Sequence, residues 1–273
     1  MTDTRADRAA RAAGIGASVA LESFRGDLSV ETKSGKTDLV TDADRAAQRR
    51  TVACIREAFP DDAIVGEEQA EHDSAGRTSG EQGDPRADIR KRVPEAGPAW
   101  IIDPIDGTSN FVRGLRIWGT SVAAVEDGEP VAAATVLPAL GDTYLVGEET
   151  TLNGDPVRVS AREDPETFAV APILLGGDYG TTVGALAERF GDIRRFGCAQ
   201  ATLAAVAGGS LDAAVATTRM SPWDTVAGAH MIRRAGGRVT DLAGERWRHD
   251  SPELVASNDT AHAEVLEAVS TTE

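Results

Sequence analysis

A short apolar run, Ala99–Ile102, passes directly into Asp103-Pro104-Ile105-Asp106-Gly107-Thr108-Ser109-Asn110-Phe111, and no other stretch restricts the fold and chemistry of the chain so tightly. The apolar run reads as a buried strand. Pro104 then fixes the turn between two carboxylates placed three residues apart. Asp103 and Asp106 can aim at one point with the Ile105 carbonyl facing the same way, the all-oxygen environment that hard cations such as Mg²⁺ require. Gly107-Thr108-Ser109 follows at what reads as a helix start, where unpaired N–H groups and the macrodipole favour a phosphate. Ligands for a cation and a cradle for an anion share one short segment. An Asp-x-x-Asp alone is common as a solvated turn, so the weight rests on the whole string.

Two more acidic clusters fall at the ends of expected elements. Gly66-Glu67-Glu68 follows a short strand, Ala63–Val65, and Trp223-Asp224 opens a helix running to Ala235. Upstream, residues 4–25 have helical spacing, and Thr41 caps a second helix that Pro60 stops after Phe59. From Gln69 to Pro98 the chain is polar and rich in Gly and Pro, which reads as a long surface loop or flap. Strands are expected at Gly119–Val125, Val131–Leu137 and Thr143–Val146, with turns at Glu126-Asp127-Gly128 and Asn153-Gly154. The second half alternates: strand Phe168–Leu175, helix Thr181–Phe190, strand Ile193–Phe196, helix Ala199–Ala207, strand Leu211–Ala216. Strands near Arg238–Thr240 and Leu254–Ala256 and a helix from Ala261 complete a layered α/β pattern. A boundary near Ser160 would divide the chain into an N-terminal α+β half, residues 1–160, carrying most metal ligands, and a C-terminal α/β half, residues 161–273, carrying Asp224 and the substrate-contacting segments.

Composition excludes several partners. A formal net charge of −16 repels nucleic-acid phosphates and anionic lipids. No stretch approaches the roughly 18 apolar residues that span a bilayer, and the N-terminus lacks the apolar core of a signal peptide, so a cytoplasmic protein is expected. Lysine occurs only at Lys33, Lys36 and Lys91. Excess acid with Arg in place of Lys fits a halophilic cytosol, where salt screens charge and water is scarce, or an ordinary acidic protein from a GC-rich genome. Cys54 and Cys198 are too few and too far apart for a disulfide framework and read as buried free thiols. His72, His230, His249 and His262 lack ligand spacing, which speaks against zinc.

On the string Asp103–Phe111, on Lys33 followed by Asp38-Leu39-Val40-Thr41 and Asp44, on Gly66-Glu67-Glu68, Trp223-Asp224 and Gly236-Gly237, the chain resembles the inositol monophosphatase family within the fructose-1,6-bisphosphatase-like superfamily. The resemblance implies an α+β, five-layered αβαβα sandwich, a homodimer, and two or three Mg²⁺ ions per site. Glu67, Asp103 and the Ile105 carbonyl would hold the first metal and Asp103, Asp106 and Asp224 the second. A third would lean on Glu67, with Glu68 as an outer contributor. Thr108 paired with Asp44 would orient and deprotonate the attacking water, and Gly107, Thr108 and Ser109 would bind phosphate. The implied activity is Mg²⁺-dependent hydrolysis of small phosphate monoesters, inositol 1-phosphate or fructose 1,6-bisphosphate. The physics agrees: a phosphate dianion repels hydroxide, so hydrolysis needs cations that neutralise the phosphoryl oxygens.

Substrate choice is less sharply written. Gly197-Cys198-Ala199 corresponds to the family's hydroxyl-contacting segment. Seven residues before Asp224, animal inositol monophosphatases carry a glutamate that binds an inositol hydroxyl, and this chain has Thr217. Arg219 either meets a second phosphate or is solvent-exposed. Lys33 is either a surface charge or an electrostatic neighbour of the metals. Trp223 reads as a packing residue that fixes Asp224. The nucleotide branch, which acts on 3′(2′),5′-bisphosphates, usually shows Lys and Glu after Asp-Gly-Thr, whereas Ser109-Asn110 stands here. An inactive scaffold member would lack a metal ligand or the water-activating pair, and Asp44, Glu67, Asp103, Asp106, Thr108 and Asp224 are all present.

Overall fold

The computed structural model describes residues 4–26, 30–32, 39–68, 89–174, 176 and 179–270. Lys33, Asp38 and most of the expected flap lie outside these residues. Helix α1 (Arg5–Ser23) begins at a capping box between Thr4 and Asp7, and α2 (Asp42–Ala58) begins at one between Thr41 and Asp44. Each box satisfies N–H groups that a helix start leaves open. Strands β1 (Val30–Thr32) and β2 (Leu39–Thr41) pair as a small antiparallel ribbon ahead of α2.

The large sheet contains β3 (Ala63–Gly66), β4 (Ile89–Arg90), β5 (Pro98–Asp106), β6 (Gly119–Glu126), β7 (Glu129–Leu137), β8 (Asp142–Val146), β9 (Thr150–Leu152) and β10 (Asp155–Pro156), in the order β10-β9-β8-β7-β6-β5-β3-β4. Helix α3 (Thr108–Val112) lies between β5 and β6. Most of this sheet is an antiparallel meander joined by tight turns. Asp127 and Gly128, like Asn153 and Gly154, take positive φ, the primed-turn conformation that matches strand twist. The smaller sheet, order β12-β11-β13-β15-β14, comprises β11 (Ala169–Pro172), β12 (Asp192–Ile193), β13 (Ala213–Ala216), β14 (Arg238–Thr240) and β15 (Leu254–Ser257). Helices α4 (Tyr179–Arg189), α5 (Ala199–Ala207), α6 (Pro222–Arg234) and α7 (His262–Ser270) complete the chain.

Strand periodicity assigns the layers. On β5, Trp100 and Ile102 face α1 and α2, while Ala99 and Ile101 face α5 and α6. On β13, Ala214 and Ala216 face that same inner helical layer, whereas Ala213 and Val215 face α4 and α7. Both sheets are thus buried on both faces, and the order is α1/α2, large sheet, α5/α6, small sheet, α4/α7: the five-layered αβαβα sandwich. Small side chains let the layers approach closely, with Ala9, Ala12, Ala13, Ala17 and Ala20 of α1 all buried. Among the described residues no helix is long and apolar enough to cross a membrane.

Two segments differ from the sequence expectation in ways that bear on the site. Strand β5 continues past Ile102 to Asp106, with an irregularity in its pairing to β6 between Asp103 and Asp106. The carboxylates therefore stand on the sheet's end, a firmer base than a loop. Ile89 and Arg90 pair with Ile64 and Val65, so the end of the expected flap is stitched to the sheet.

Candidate active site

Three elements end at one place: β5 with Asp103 and Asp106, the stretch after β3 with Glu67, and the N-terminus of α6 with Asp224. Carboxylate oxygens of Asp103, Asp106 and Asp224 lie within 4.8 Å of one another. Asp103 is buried, and its Oδ1 has no hydrogen-bond partner. Burial, then the charges of Glu67, Asp106, Asp224 and Asp44, push its pKa well above the usual carboxylate range. An orphaned buried carboxylate oxygen facing two others is costly by itself. A hard divalent cation repays that cost, so these residues fit a metal of the Mg²⁺ type.

Asp106, Asp224 and Asp44 are each set by partners from their surroundings. Asp106 accepts from the backbone N–H of Ala199, at 3.1 Å, and of Gln200, and from the Cys198 thiol at 2.9 Å, which ties β5 to the start of α5. Burial raises its pKa and these donors pull it back. Asp224, the third residue of α6, accepts from the Ser221 N–H at 3.2 Å in a capping box. Asp44 uses Oδ2 to accept from the Thr41 N–H and hydroxyl, at 2.8 and 2.5 Å. Its Oδ1 lies 3.3 Å from the Thr108 hydroxyl, which also reaches the Ile105 carbonyl at 3.0 Å. Glu67 stands outside the closest trio but within electrostatic range of Asp103.

Between Asp106 and Thr108, Gly107 has φ +86°, and an added Cβ would stand 3.0 Å from that of Cys198. A side chain there would be strained and would push α3 away from α5. Asn110 reinforces the junction by donating to the Ile117 and Phe196 carbonyls, each at 2.7 Å. Ile105 buries its side chain with Phe111 and Trp118 beneath. Ser109 lies in the first turn of α3, where amides lack partners inside the helix.

A cavity of about 800 Å³ opens beside Asp224. Glu67 and Asp224 line it, as do Gly197, Cys198 and Ala199. Lys91, Arg195, Met220, Trp223 and the Pro172–Leu174 segment supply the remainder of the wall that matters here. The structure does not bring every expected residue there. Arg219 is exposed and donates to the Asp250 carbonyl at 2.7 Å, and Thr217 accepts from the Gly176 N–H at 3.0 Å; neither is among the lining residues. Glu68 is buried with its backbone held at both N–H and carbonyl by Gln48, and its charge acts on Arg45. Lys33 lies outside the described residues. Both cysteines are free and buried, and Cys198, raised in pKa by burial and the nearby Asp106 charge, is a neutral thiol donor.

Sequence reasoning missed Lys91, Arg195, Gln48 and Gln200. Lys91 donates to the Gly66 and Glu67 carbonyls and sits 5.1 Å from the Trp223 ring centroid, so one cation links the Glu67 segment to the start of α6. Its rarity as a lysine was the available signal. Gln48 lies four residues after Asp44, hence on the same helical face. Gln200 donates to the Trp223 carbonyl at 2.7 Å, a contact between separate helices that no local pattern announces.

Comparison with known proteins agrees over the whole length. The model of the inositol monophosphatase family matches residues 2–272. The fructose-1,6-bisphosphatase/inositol-1-monophosphatase of Thermotoga maritima is 36% identical over 242 residues, covering 88% of this chain and 86% of that protein. The Nus factor SuhB of Pseudomonas aeruginosa is 32% identical over 252 residues, 89% of this chain and 86% of its own. Among solved structures, that of a Thermotoga maritima IMPase superposes with a TM-score of 0.83 at 33% identity, covering 98% of this chain and 97% of that one.

Proposed function

The chain belongs to the inositol monophosphatase family, a phosphoric monoester hydrolase by that membership, and we propose that it hydrolyses small inositol or sugar phosphates in a Mg²⁺-dependent reaction. One observation carries the reading: Asp103, Asp106 and Asp224 converge within 4.8 Å while a buried Asp103 oxygen has no partner. A bound Mg²⁺ would neutralise phosphoryl charge and lower the pKa of a water molecule. Asp103, Asp106 and Asp224 are the residues to hold it, with Glu67 and the Ile105 carbonyl beside them.

The remaining work falls to the chain's own groups. Thr41 occupies Asp44 Oδ2, which leaves Oδ1 as the atom that can take up a proton, passed on from a water through the Thr108 hydroxyl at 3.3 Å. The first-turn amides of α3, at Thr108 and Ser109, are the donors this reading assigns to the phosphoryl group. Gly107 keeps α3 close enough to α5 for both to bound the same space. The cavity, about 800 Å³, is in the range of small-molecule sites and larger than a lone phosphate needs.

The test is phosphate release from inositol 1-phosphate, fructose 1,6-bisphosphate and adenosine 3′,5′-bisphosphate, with Mg²⁺ and with chelator, at low and molar KCl. The cyclitol and sugar esters should be hydrolysed faster than the nucleotide, and chelator should abolish release until Mg²⁺ is restored. Fastest release from the nucleotide would move the protein to the nucleotidase branch. No release from any ester with Mg²⁺ present would overturn the reading.

A further inference from the structure

Helices α5 and α6 both begin at the acidic cluster, and one buried side chain spans the gap between their first turns. The backbone N–H of Gln200 donates to Asp106 Oδ2, and its side-chain Nε2 donates to the Trp223 carbonyl at 2.7 Å. That carbonyl belongs to the peptide group that joins Trp223 to Asp224. One residue therefore grips both the carboxylate at the end of β5 and the backbone that carries the carboxylate of α6. About one turn further along, Leu203 of α5 packs on Gly228 of α6 so closely that an added Cβ at Gly228 would stand 2.4 Å from that of Leu203. Packing joins the helices there, and the Gln200 amide joins them at the site. Ser221 caps Asp224 from within α6, a contact that orients this carboxylate without relating it to Asp106.

As a mere filler of space, an amide is a poor choice here. Gln200 is fully buried, and its Oε1 has no hydrogen-bond partner among the described residues. An unmet buried oxygen destabilises a fold, and methionine or leucine would occupy a similar volume without one. What glutamine adds is the Nε2 donor and the distance that it fixes. Resting on the metal-dependent phosphatase reading above, we propose that Gln200 is a positioning residue that sets the separation of Asp106 and Asp224, and through it the preference of the site for a small hard cation over a larger one. Asp103 shares β5 with Asp106, so the α6 side is the one a lost tie would release. Mg²⁺ demands near-ideal octahedral geometry with oxygens at about 2.0–2.1 Å, whereas Ca²⁺ takes bonds of about 2.3–2.6 Å in flexible arrangements. Carboxylates held at one spacing favour the first ion, and carboxylates free to spread give up that advantage.

Thermal unfolding of the whole protein, in chelator and then across separate titrations of Mg²⁺ and Ca²⁺, reads both affinities without substrate. Gln200→Met and Gln200→Leu should raise the Mg²⁺ concentration for a half-maximal rise in Tm about tenfold and that for Ca²⁺ at most about threefold, so that selectivity shifts towards Ca²⁺ by about threefold or more. In chelator both variants should melt at or above the wild-type Tm, because the unmet oxygen is gone. A residue that only packs would give the opposite pattern, a lower Tm in chelator with equal shifts for the two ions. That pattern, a wild-type selectivity ratio in the variants, or failure of both to fold in chelator overturns the proposal while the phosphatase reading stands. If one of the two fails to fold, the other still reads the ratio. A wild-type Tm that does not respond to Mg²⁺ would sink the metal reading and this one together.

Discussion

In the acidic cluster three aspartates are held by a partner from another segment or a helix cap, Asp44 by Thr41, Asp106 by the start of α5 and Asp224 by Ser221, and Asp103 leaves Oδ1 without one. Outside that cluster Leu174 is 44% exposed, Arg195 is exposed, and Thr217 and Arg219 turn to local backbone partners. The difference follows from what each region must do. Bond-breaking groups lose much of their value when displaced by about 1 Å, so they are fixed by several ties on rigid elements. A binding wall needs only complementary charge and shape, and it can change between relatives without disturbing the chemistry. The acidic end stores repulsion that a cation or a bound proton relieves.

The sharpest way to break this contrast is Asp103→Asn. Activity should fall by roughly three orders of magnitude, the scale of several kcal/mol of lost charge stabilisation. The metal-free fold should gain, not lose. Asp103 has a folded-state pKa raised by burial and four neighbouring carboxylates, so its ionised form opposes folding above the unfolded pKa, and the amide removes that opposition. Melting in chelator should give a Tm at or above that of wild type, and the Mg²⁺-induced rise in Tm should shrink. A large loss of stability in chelator would mean that Asp103 is held by something other than a cation.

The same contrast explains what could be read from residues alone. Asp103, Asp106 and Thr108 fall within six residues, and Thr41 and Asp44 within four, so local patterns state their geometry. The helices were readable for the same reason, since Thr4, Thr41, Cys198 and Ser221 each stand at a helix start. The end of β5 was not, because apolarity stops at Ile102 while hydrogen bonding to β6 continues to Asp106. Strands β1 and β2 have three residues each, too few to carry an alternation. Arg195 follows an edge strand of two residues, where a longer one was expected at Ile193–Phe196. Its place beside Met220 and Ile173 arises from packing of α5, α6 and the small sheet, contacts distant in sequence.

Lys91 binds the Glu67 segment and tests how far the rigid zone extends. Lys91→Met removes the cation that ties the Glu67 segment to Trp223, keeping an apolar stem. Activity at saturating Mg²⁺ should fall about three- to tenfold, and half-maximal activity should need more Mg²⁺, consistent with losing about 1 kcal/mol of positioning. An unchanged Mg²⁺ titration would place Glu67 outside the metal-dependent set and shrink the rigid end to the aspartate trio.

The smallest effect is expected at Arg219, and it is informative because the sequence singles out this arginine as a candidate for meeting a second phosphate. Its guanidinium is exposed and donates to the Asp250 carbonyl at 2.7 Å, on the outer side of the stretch leading to α6. Exposed bonds of this kind contribute about 1 kcal/mol or less to stability, and this one engages the guanidinium with backbone. Arg219→Ala should therefore change kcat/KM by less than about twofold for mono- and bisphosphates alike, within the scatter of surface substitutions. Should Arg219→Ala instead lower kcat/KM for the bisphosphate by about tenfold or more while sparing the monophosphate, the binding wall would have to be redrawn around the segment that precedes α6.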